Sequence, residues 1–200
     1  RKTCPYPFNG LNEKLYGART GELVTITSGT GMGKSSFMRE LVYHFWKTTQ
    51  DNIGLIFLEE DAERTLQGVL GIHTNKQLHL DEVWEKENIE DLNKVVDEFD
   101  SDRLTIYNNS FGSLRRLDND KGHEEGKQVS LSHLRGSHAI AQLSDAVIGM
   151  ERNQQEEDEV SANTSIIRVL KNRYAGITGI ASYLLWSKEN GRMTEIENPF

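Results

Sequence analysis

The sequence contains little cysteine and no long apolar segment. Cys4 is the only cysteine among 200 residues, which excludes an internal disulfide and a zinc site built from several thiolates. No apolar run approaches the roughly 20 residues that a membrane helix requires, and the first residues lack the basic and then apolar pattern of a signal peptide. We therefore expect a soluble, intracellular chain without a membrane partner. Because the chain does not start with Met, we interpret it as a fragment of a longer protein.

Positive charge is also scarce. Lys and Arg total 23 against 31 Asp and Glu, which corresponds to a formal net charge of -8. This balance excludes a surface that coats polyanions generally, so nucleic-acid binding would depend on a local basic patch. Apolar residues make up only 36% of the chain, yet short apolar runs recur at strand-like lengths. We therefore predict a folded domain rather than a disordered chain.

Strand-like and helix-like patterns alternate along the first part of the chain. A predicted strand (21–29) leads through a glycine-rich loop into an amphipathic helix (34–47), and a continuous apolar run (52–60) is typical of a buried parallel strand. Two late segments (165–174 and 179–187) are predicted strands. This order predicts an α/β fold with a mostly parallel sheet, helices on both faces and late antiparallel strands.

The stretch TSGTGMGKSSF (27–37) has the composition of a phosphate-binding loop. Its three closely spaced glycines indicate that a ligand approaches the main chain, and Gly33, Lys34 and Ser35 match the end of the phosphate-loop pattern. Ser28 stands where the general pattern has its first glycine. We predict that main-chain N–H groups wrap the β-phosphate, that Lys34 neutralises phosphate charge and that Ser35 ligates magnesium. The predicted nucleotide-binding residues of the loop are Ser28, Gly29, Thr30, Gly31, Met32, Gly33, Lys34, Ser35 and Ser36.

Two adjacent carboxylates, Glu59 and Glu60, follow the second predicted strand. The carboxyl ends of parallel strands line the crevice in which a phosphate loop lies. One of the two glutamates could therefore hold and deprotonate the water that attacks the γ-phosphate. A pair of solvated loop acids explains the same pattern, and residue order does not choose between the two glutamates.

Two groups of basic residues are candidates for contact with phosphate. Lys171 and Arg173 are two residues apart on a predicted strand and so share one face, from which they could reach a phosphate, including one bound to a neighbouring subunit. The polar segment 112–130 contains a second group that would suit a nucleic-acid backbone. Exposed, solvated cations are the alternative for both groups. The second group consists of Arg115, Arg116, Lys121 and His123.

The chain resembles the helicase half of the bifunctional primase-helicases of short-tailed phages, which belong to the DnaB-like ring helicases with a RecA-type core. Collinear motifs carry the resemblance: TSGTGMGKSSF, LEE, HEEGKQVSLSHLRGSHAIAQLSD, MERNQQ and LKNRYAGITGIA. The resemblance implies a RecA-like P-loop NTPase that uses Mg²⁺ with ATP or dTTP. It also implies a ring of six or seven copies that moves 5′ to 3′ on single-stranded DNA and unwinds forked duplex DNA. A primase domain and a replicative polymerase are implied partners, and the cytoplasm of the infected bacterial host is the implied location.

The resemblance also assigns roles to individual residues. Glu59 matches the catalytic base, Gln142 the residue that senses the γ-phosphate, and Arg173, with Lys171 beside it, the arginine finger of the adjacent subunit's site. Arg152 and Trp186 match the pair that clasps the nucleotide base. Ala141 replaces a cation of the family, which removes one expected phosphate contact. The DNA-gripping loop of the family corresponds to Arg115, Arg116, Lys121 and His123.

One part of the family pattern is absent. The resemblance implies a further strand ending in Asp, a helix and another strand ending in His, together roughly sixty residues long, before the basic loop. No apolar run ending in Asp lies between Ser110 and Leu114, so the second magnesium ligand is absent from the sequence near 112–114. Either the molecule contains a segment that this sequence omits, or the chain carries a deletion that removes central strands.

We predict an N-terminal linker over residues 1–20 and a RecA-like helicase ATPase domain over residues 21–200. Two alternatives to a helicase remain open on the sequence alone. The first is a RecA-like filament protein that binds DNA without unwinding it, and the second is a catalytically inactive deletion form.

Overall fold

A computed structural model describes residues 2–99, 103–107 and 138–200 of the chain. The chain divides into two compact units, each of which is described by itself. The first unit contains residues 2–35, 138–187 and 193–200, and the second contains residues 36–99, 103–107 and 188–192.

Strands and helices alternate through the described residues. In chain order they are β1 (Thr3–Cys4), α1 (Asn9–Leu15), β2 (Ala18–Arg19), β3 (Val24–Ser28), α2 (Lys34–Thr48), β4 (Ile53–Ile56), α3 (Ala62–Thr74), α4 (Asp81–Trp84), α5 (Ile89–Phe99), β5 (Leu104–Tyr107), α6 (His138–Leu143), β6 (Ala146–Glu151), α7 (Glu159–Ala162), β7 (Thr164–Asn172), β8 (Gly179–Trp186) and β9 (Met193–Ile196).

The first unit is built on a five-stranded sheet in the order β3-β6-β7-β8-β9. β3 and β6 are parallel, with Val24 opposite Ala146 and Ser28 opposite Met150. All six residues of β6 are buried, and a strand that is covered on both faces has a nearly continuous apolar sequence, here AVIGM. The strand β3, which leads into the glycine loop, is thus held along its length by a fully buried neighbour.

The predicted α/β class is confirmed, and so are the late antiparallel strands. β7, β8 and β9 pair antiparallel with their neighbours, because their connections of 173–178 and 187–192 are too short for the crossover that parallel strands require. Parallel pairing occurs between β3 and β6 and between β4 and β5. Over the described residues the sheets are therefore mixed rather than mostly parallel.

The segment before Gly21, predicted as an N-terminal linker or entry segment, contains the packed helix α1. Leu11 and Leu15 of α1 are 0% and 1% exposed. The main chain of α1 lies directly against β8, since a Cβ added at Gly10 would collide with the carbonyl oxygen of Ala181. These buried contacts make α1 part of the unit that carries the glycine loop.

The second unit contains the two-stranded parallel sheet β4-β5, in which Ile53 lies opposite Leu104. The α3 helix begins after Asp61, whose side chain accepts a hydrogen bond from the N–H of Arg64 at 2.7 Å and so caps the helix. Among the helices described, none combines the length and apolarity needed to cross a membrane. The apolar core of this unit consists of Val42, Leu55, Val69, Leu70, Leu78, Leu92 and Phe99.

Candidate nucleotide-binding site

The loop between β3 and α2 turns at two glycines in the left-handed region. Gly31 and Gly33 have φ angles of 75° and 91°, which residues with a Cβ rarely adopt. An added Cβ at Gly33 would also lie 2.8 Å from Cε of Met193, so the flexible end of that side chain would have to shift. The loop therefore depends on glycine chiefly for its backbone conformation.

The loop ends at a helix N-terminus with an exposed cation. Lys34 is the first residue of α2, and its Nζ donates to the carbonyl oxygen of Ser28 at 3.4 Å, which brings the ammonium group back over the loop. The helix has 15 residues and no acidic side chain in its first turn. Its N-terminal N–H groups and its dipole therefore favour an anion, and Ser35 presents an exposed hydroxyl beside them.

Two polar side chains support the loop from its own unit. The hydroxyl of Ser28 donates to the carbonyl oxygen of Gly29 at 2.8 Å, so the serine at the first loop position makes a contact that glycine lacks. Gln154 donates from Nε2 to the carbonyl oxygen of Gly31 at 3.1 Å. Sequence reasoning missed Gln154, although it lies in the motif MERNQQ. Met32 anchors the same loop, since its side chain is 1% exposed.

Arg152 and Trp186, predicted to clasp the nucleotide base, lie close together. The guanidinium carbon of Arg152 is 5.9 Å from the centre of the Trp186 ring. Arg152 donates to the carbonyl oxygen of Ala162 at 2.7 Å and to Oδ1 of Asn163 at 2.8 Å, which fixes its orientation. Burial lowers the pKa of Arg152, but the guanidinium remains charged at neutral pH. The pair thus offers one cationic and one aromatic surface.

Lys171, Arg173 and Gln142 also come together. Lys171 Nζ donates to the carbonyl oxygens of Ala141 and Gln142 at 2.7 and 3.0 Å. Arg173 donates to the same Gln142 oxygen at 2.8 Å and to Oδ1 of Asp145 at 3.1 Å. Both cations therefore bind the C-terminal carbonyls of α6, where the helix dipole is negative. The side chain of Arg173 is still 56% exposed.

In the second unit, the two glutamates that residue order alone leaves equivalent have different environments. Glu60 accepts hydrogen bonds from Nη2 of Arg39 with both carboxylate oxygens, each at 2.8 Å. Glu59 is exposed and makes no hydrogen bond or ion pair with the described residues. Both lie in the bend after β4 rather than within the strand. Of the two carboxylates, Glu59 is the one available to a ligand.

Two of the sequence-based expectations cannot be located in the structure. The DNA-binding residues and the region near 112–114 lie outside the described residues. In the described ranges, no group of three His, Cys, Asp or Glu side chains is arranged to hold a metal ion. The predicted DNA-binding residues are Arg115, Arg116, Lys121 and His123.

Comparison with curated proteins identifies a phage relative. The chain is 31% identical over 250 residues to the "DNA helicase/primase" of Enterobacteria phage T3, an alignment that covers 91% of this chain and 44% of the relative. The chain thus spans less than half of that relative's length. No family model matches the chain.

The same alignment bears on the absent segment. Ninety-one per cent of 200 residues is about 182, so about 68 of the 250 aligned positions have no counterpart in this chain. This number is similar to the roughly sixty residues of the strand–helix–strand segment that the family resemblance implies.

Solved structures with the same fold include an isolated ATPase domain and a DnaB-like helicase. The chain matches the first, described as an "ATPase Domain", with a TM-score of 0.76 at 16% identity, over 96% of this chain and 91% of the other. It matches a DnaB-like replicative helicase, solved to show its interactions with primase, with a TM-score of 0.75 at 16% identity, over 96% of this chain and 63% of the other. The predicted RecA-like fold class is confirmed by these matches.

Proposed function

Because the chain is a relative of a phage DNA helicase/primase and has the fold of DnaB-like helicase ATPase domains, we propose a function for it. It is the nucleotide-hydrolysing domain of a replicative DNA helicase. The observation that carries the proposal is the loop from Ser28 to Lys34. Two left-handed glycines turn the main chain into the N-terminus of a long helix, and a lysine lies over the turn. This arrangement suits a chain of phosphates better than a neutral ligand.

The nucleotide is held at two places in this proposal. The loop amides and Lys34 bind the phosphates, while Arg152 and Trp186 hold the base between a guanidinium and an aromatic ring. The distance of 5.9 Å between these two side chains supports the second contact. ATP and dTTP are the proposed substrates.

The proposed metal is Mg²⁺, which enters with the nucleotide. The exposed Ser35 hydroxyl would hold it together with phosphate oxygens of the nucleotide, in keeping with the preference of Mg²⁺ for oxygen donors. Mg²⁺ would neutralise phosphate charge. Glu59 activates the attacking water in this proposal. Its carboxylate is exposed and has no partner among the described residues, which supports this role.

The remaining site residues act between copies of the chain. We propose a ring of six or seven copies in which Arg173, with Lys171, reaches the nucleotide of the adjacent subunit and Gln142 reports loss of the γ-phosphate. Both cations bind the carbonyl oxygen of Gln142, which supports a link between nucleotide state and α6. The ring moves 5′ to 3′ on single-stranded DNA gripped by Arg115, Arg116, Lys121 and His123, and opens forked duplex DNA.

The wider setting follows from the relatives. The DNA helicase/primase of phage T3 and the helicase solved with primase support a primase domain or primase partner for this chain. A replicative polymerase is a further proposed partner, and the cytoplasm of the infected host is the proposed location.

The test is turnover of ATP and dTTP with Mg²⁺, with and without single-stranded DNA, together with unwinding of a forked duplex. We expect DNA-stimulated hydrolysis and strand separation, both reduced at least about 100-fold in Lys34→Ala because the main phosphate cation is removed. Turnover that persists in Lys34→Ala would contradict the proposal. Hydrolysis with DNA binding but no unwinding would instead favour a filament ATPase.

A further inference from the structure

Three consecutive acids after β4 have three different environments. Asp61 caps α3 through the N–H of Arg64 at 2.7 Å. Glu60 pairs with Arg39, whereas Glu59 is exposed and has no partner among the residues that the structure describes. The free carboxylate is thus followed by two carboxylates that are tied to the protein.

The Arg39–Glu60 pair is short and shielded from solvent. One guanidinium nitrogen of Arg39 lies 2.8 Å from each carboxylate oxygen, and the two side chains are 12% and 18% exposed. Arg39 packs tightly against α3, because a Cβ added at Gly68 would collide with Nε of Arg39. One nitrogen serves both oxygens, so the pair is a bifurcated charge-assisted contact, and its shielding from solvent makes it stronger than an exposed ion pair.

Glu60 is also fixed from the first turn of α3. The hydroxyl of Thr65 shares its single proton between the carbonyl oxygen of Asp61 at 2.9 Å and Oε1 of Glu60 at 3.3 Å. Thr65 is 1% exposed, so its position is set by packing. Glu60 is therefore held mainly by Arg39 of α2, with a weaker contact to Thr65 of α3.

We propose that Arg39 and Glu60 are positioning residues that hold Glu59 in place for water activation. The residue directly after Glu59 is anchored to two helices, while β4 ends at Ile56, three residues before it. The anchored carboxylate restricts the backbone of Glu59 and leaves its side chain free. This inference rests on the proposed role of Glu59 as the catalytic base.

The test compares Arg39→Gln, Glu60→Gln and the double variant with the parent chain in steady-state hydrolysis with DNA. We expect kcat to fall at least about 10-fold in each single variant, with the nucleotide KM within about twofold of the parent value, because misplacing a base affects chemistry more than binding. The double variant should lose no more than either single variant, since the two residues act as one unit. Arg39→Lys keeps the charge and should give an intermediate kcat.

A matched control lies next to Arg39 on the same helix. Glu40 pairs with Arg192 at 2.8 and 3.0 Å, and its side chain is 5% exposed. Glu40→Gln removes a buried Arg–Glu ion pair, joined here by two guanidinium nitrogens, that does not hold the Glu59 segment. We expect a lower unfolding midpoint and an unchanged kcat per folded molecule.

Different outcomes separate the failure of this inference from that of the proposed function. A parent chain that hydrolyses no nucleotide overturns the proposed function and this role with it. A parent chain that turns over, with Arg39→Gln and Glu60→Gln retaining more than about half of its kcat, overturns the positioning role alone. If these variants do not fold, Arg39→Lys serves instead. It keeps the charge but changes the contact to Glu60, so it should lower kcat at constant KM, and an unchanged kcat would contradict the proposal.

Discussion

Gly33 combines two constraints that Gly31 meets only in part. Both have left-handed φ angles, but an added Cβ at Gly31 meets open space, whereas at Gly33 it meets Met193. We expect Gly31→Ala to lower the free energy of unfolding by about 1 to 2 kcal/mol through backbone strain, and Gly33→Ala to lower it further. Urea unfolding of the two variants measures the difference.

The two glycine variants should also differ in nucleotide affinity. An alanine at Gly33 adds a contact with Met193 to the backbone strain of the proposed phosphate-binding loop, so Gly33→Ala should weaken binding of a fluorescent nucleotide by at least about tenfold, and by more than Gly31→Ala does. The double variant Gly33→Ala/Met193→Ala provides the control. Because it lacks the Cε atom, it should recover part of the nucleotide affinity that Gly33→Ala loses. Equal effects of the two glycine substitutions would contradict a steric role for Met193.

The side chain of Trp186 should contribute to affinity through its ring rather than through packing alone. Trp186→Phe keeps an aromatic face near Arg152 and should change nucleotide affinity little, whereas Trp186→Ala should weaken binding by about 1 to 2 kcal/mol, or roughly five- to thirtyfold. Titration with a nucleotide and with inorganic triphosphate distinguishes base from phosphate contacts. A loss of the same size for both ligands would show that Trp186 does not contact the base.

Among the elements, the short helix α7 positions Arg152, which is predicted to contact the base of the nucleotide. Its N-cap Asp158 accepts hydrogen bonds from the N–H and hydroxyl of Ser161 at 2.8 and 2.9 Å, and these bonds lower the pKa of Asp158. The carbonyl of Ala162 at the end of α7 and the side chain of Asn163 then hold Arg152. A four-residue helix depends strongly on such a cap.

This arrangement predicts a pH dependence for α7. Because the pKa of Asp158 is lower in the folded chain, its stabilising effect is present above the usual aspartate pKa and is lost as pH falls through the lowered value. NMR titration of the carboxyl carbon should therefore show Asp158 titrating below exposed aspartates. Asp158→Ala should weaken nucleotide binding through a looser Arg152. A normal Asp158 titration would contradict the capping role.

For the whole molecule, the proposed ring divides each catalytic site between two copies. A subunit with Lys34→Ala still offers Arg173 to its neighbour, and a subunit with Arg173→Ala still carries an intact phosphate loop. Each variant alone should be nearly inactive, but an equal mixture should recover up to about a quarter of the parent activity if adjacent subunits pair at random. DNA-stimulated hydrolysis of the mixture measures this recovery. A mixture no more active than its components would contradict a site shared between copies.

The absent segment also belongs to the scale of the whole molecule. About 68 aligned positions of the phage relative have no counterpart here, and β3 lies at the end of its five-stranded sheet, next to β6. Strands β4 and β5 form a separate two-stranded sheet. Among the described strands, β3 is therefore an edge strand of the first unit's sheet.

Local sequence was sufficient for the loop and the elements around it. The run from Val24 to Thr48 contains a strand, a glycine turn and a helix. The strand follows from alternating polar and apolar residues, the turn from glycines at positive φ, and the helix from its single apolar face. Motif spacing also identified Lys34 and Ser35. The N-terminal helix α1 was missed, because its seven residues are stabilised by contacts with β8 and not by a strong helical pattern of their own.

The sequence by itself therefore determined the strand–glycine loop–helix order, the α/β class and the family likeness, since these depend on neighbouring residues and ordered motifs. Only the tertiary structure decided which of Glu59 and Glu60 is free, because the choice depends on Arg39, about twenty residues away in the chain. It also brought Gln154 to Gly31 across 123 positions. Such contacts arise from packing between distant segments, and no local pattern encodes the partner of a polar side chain.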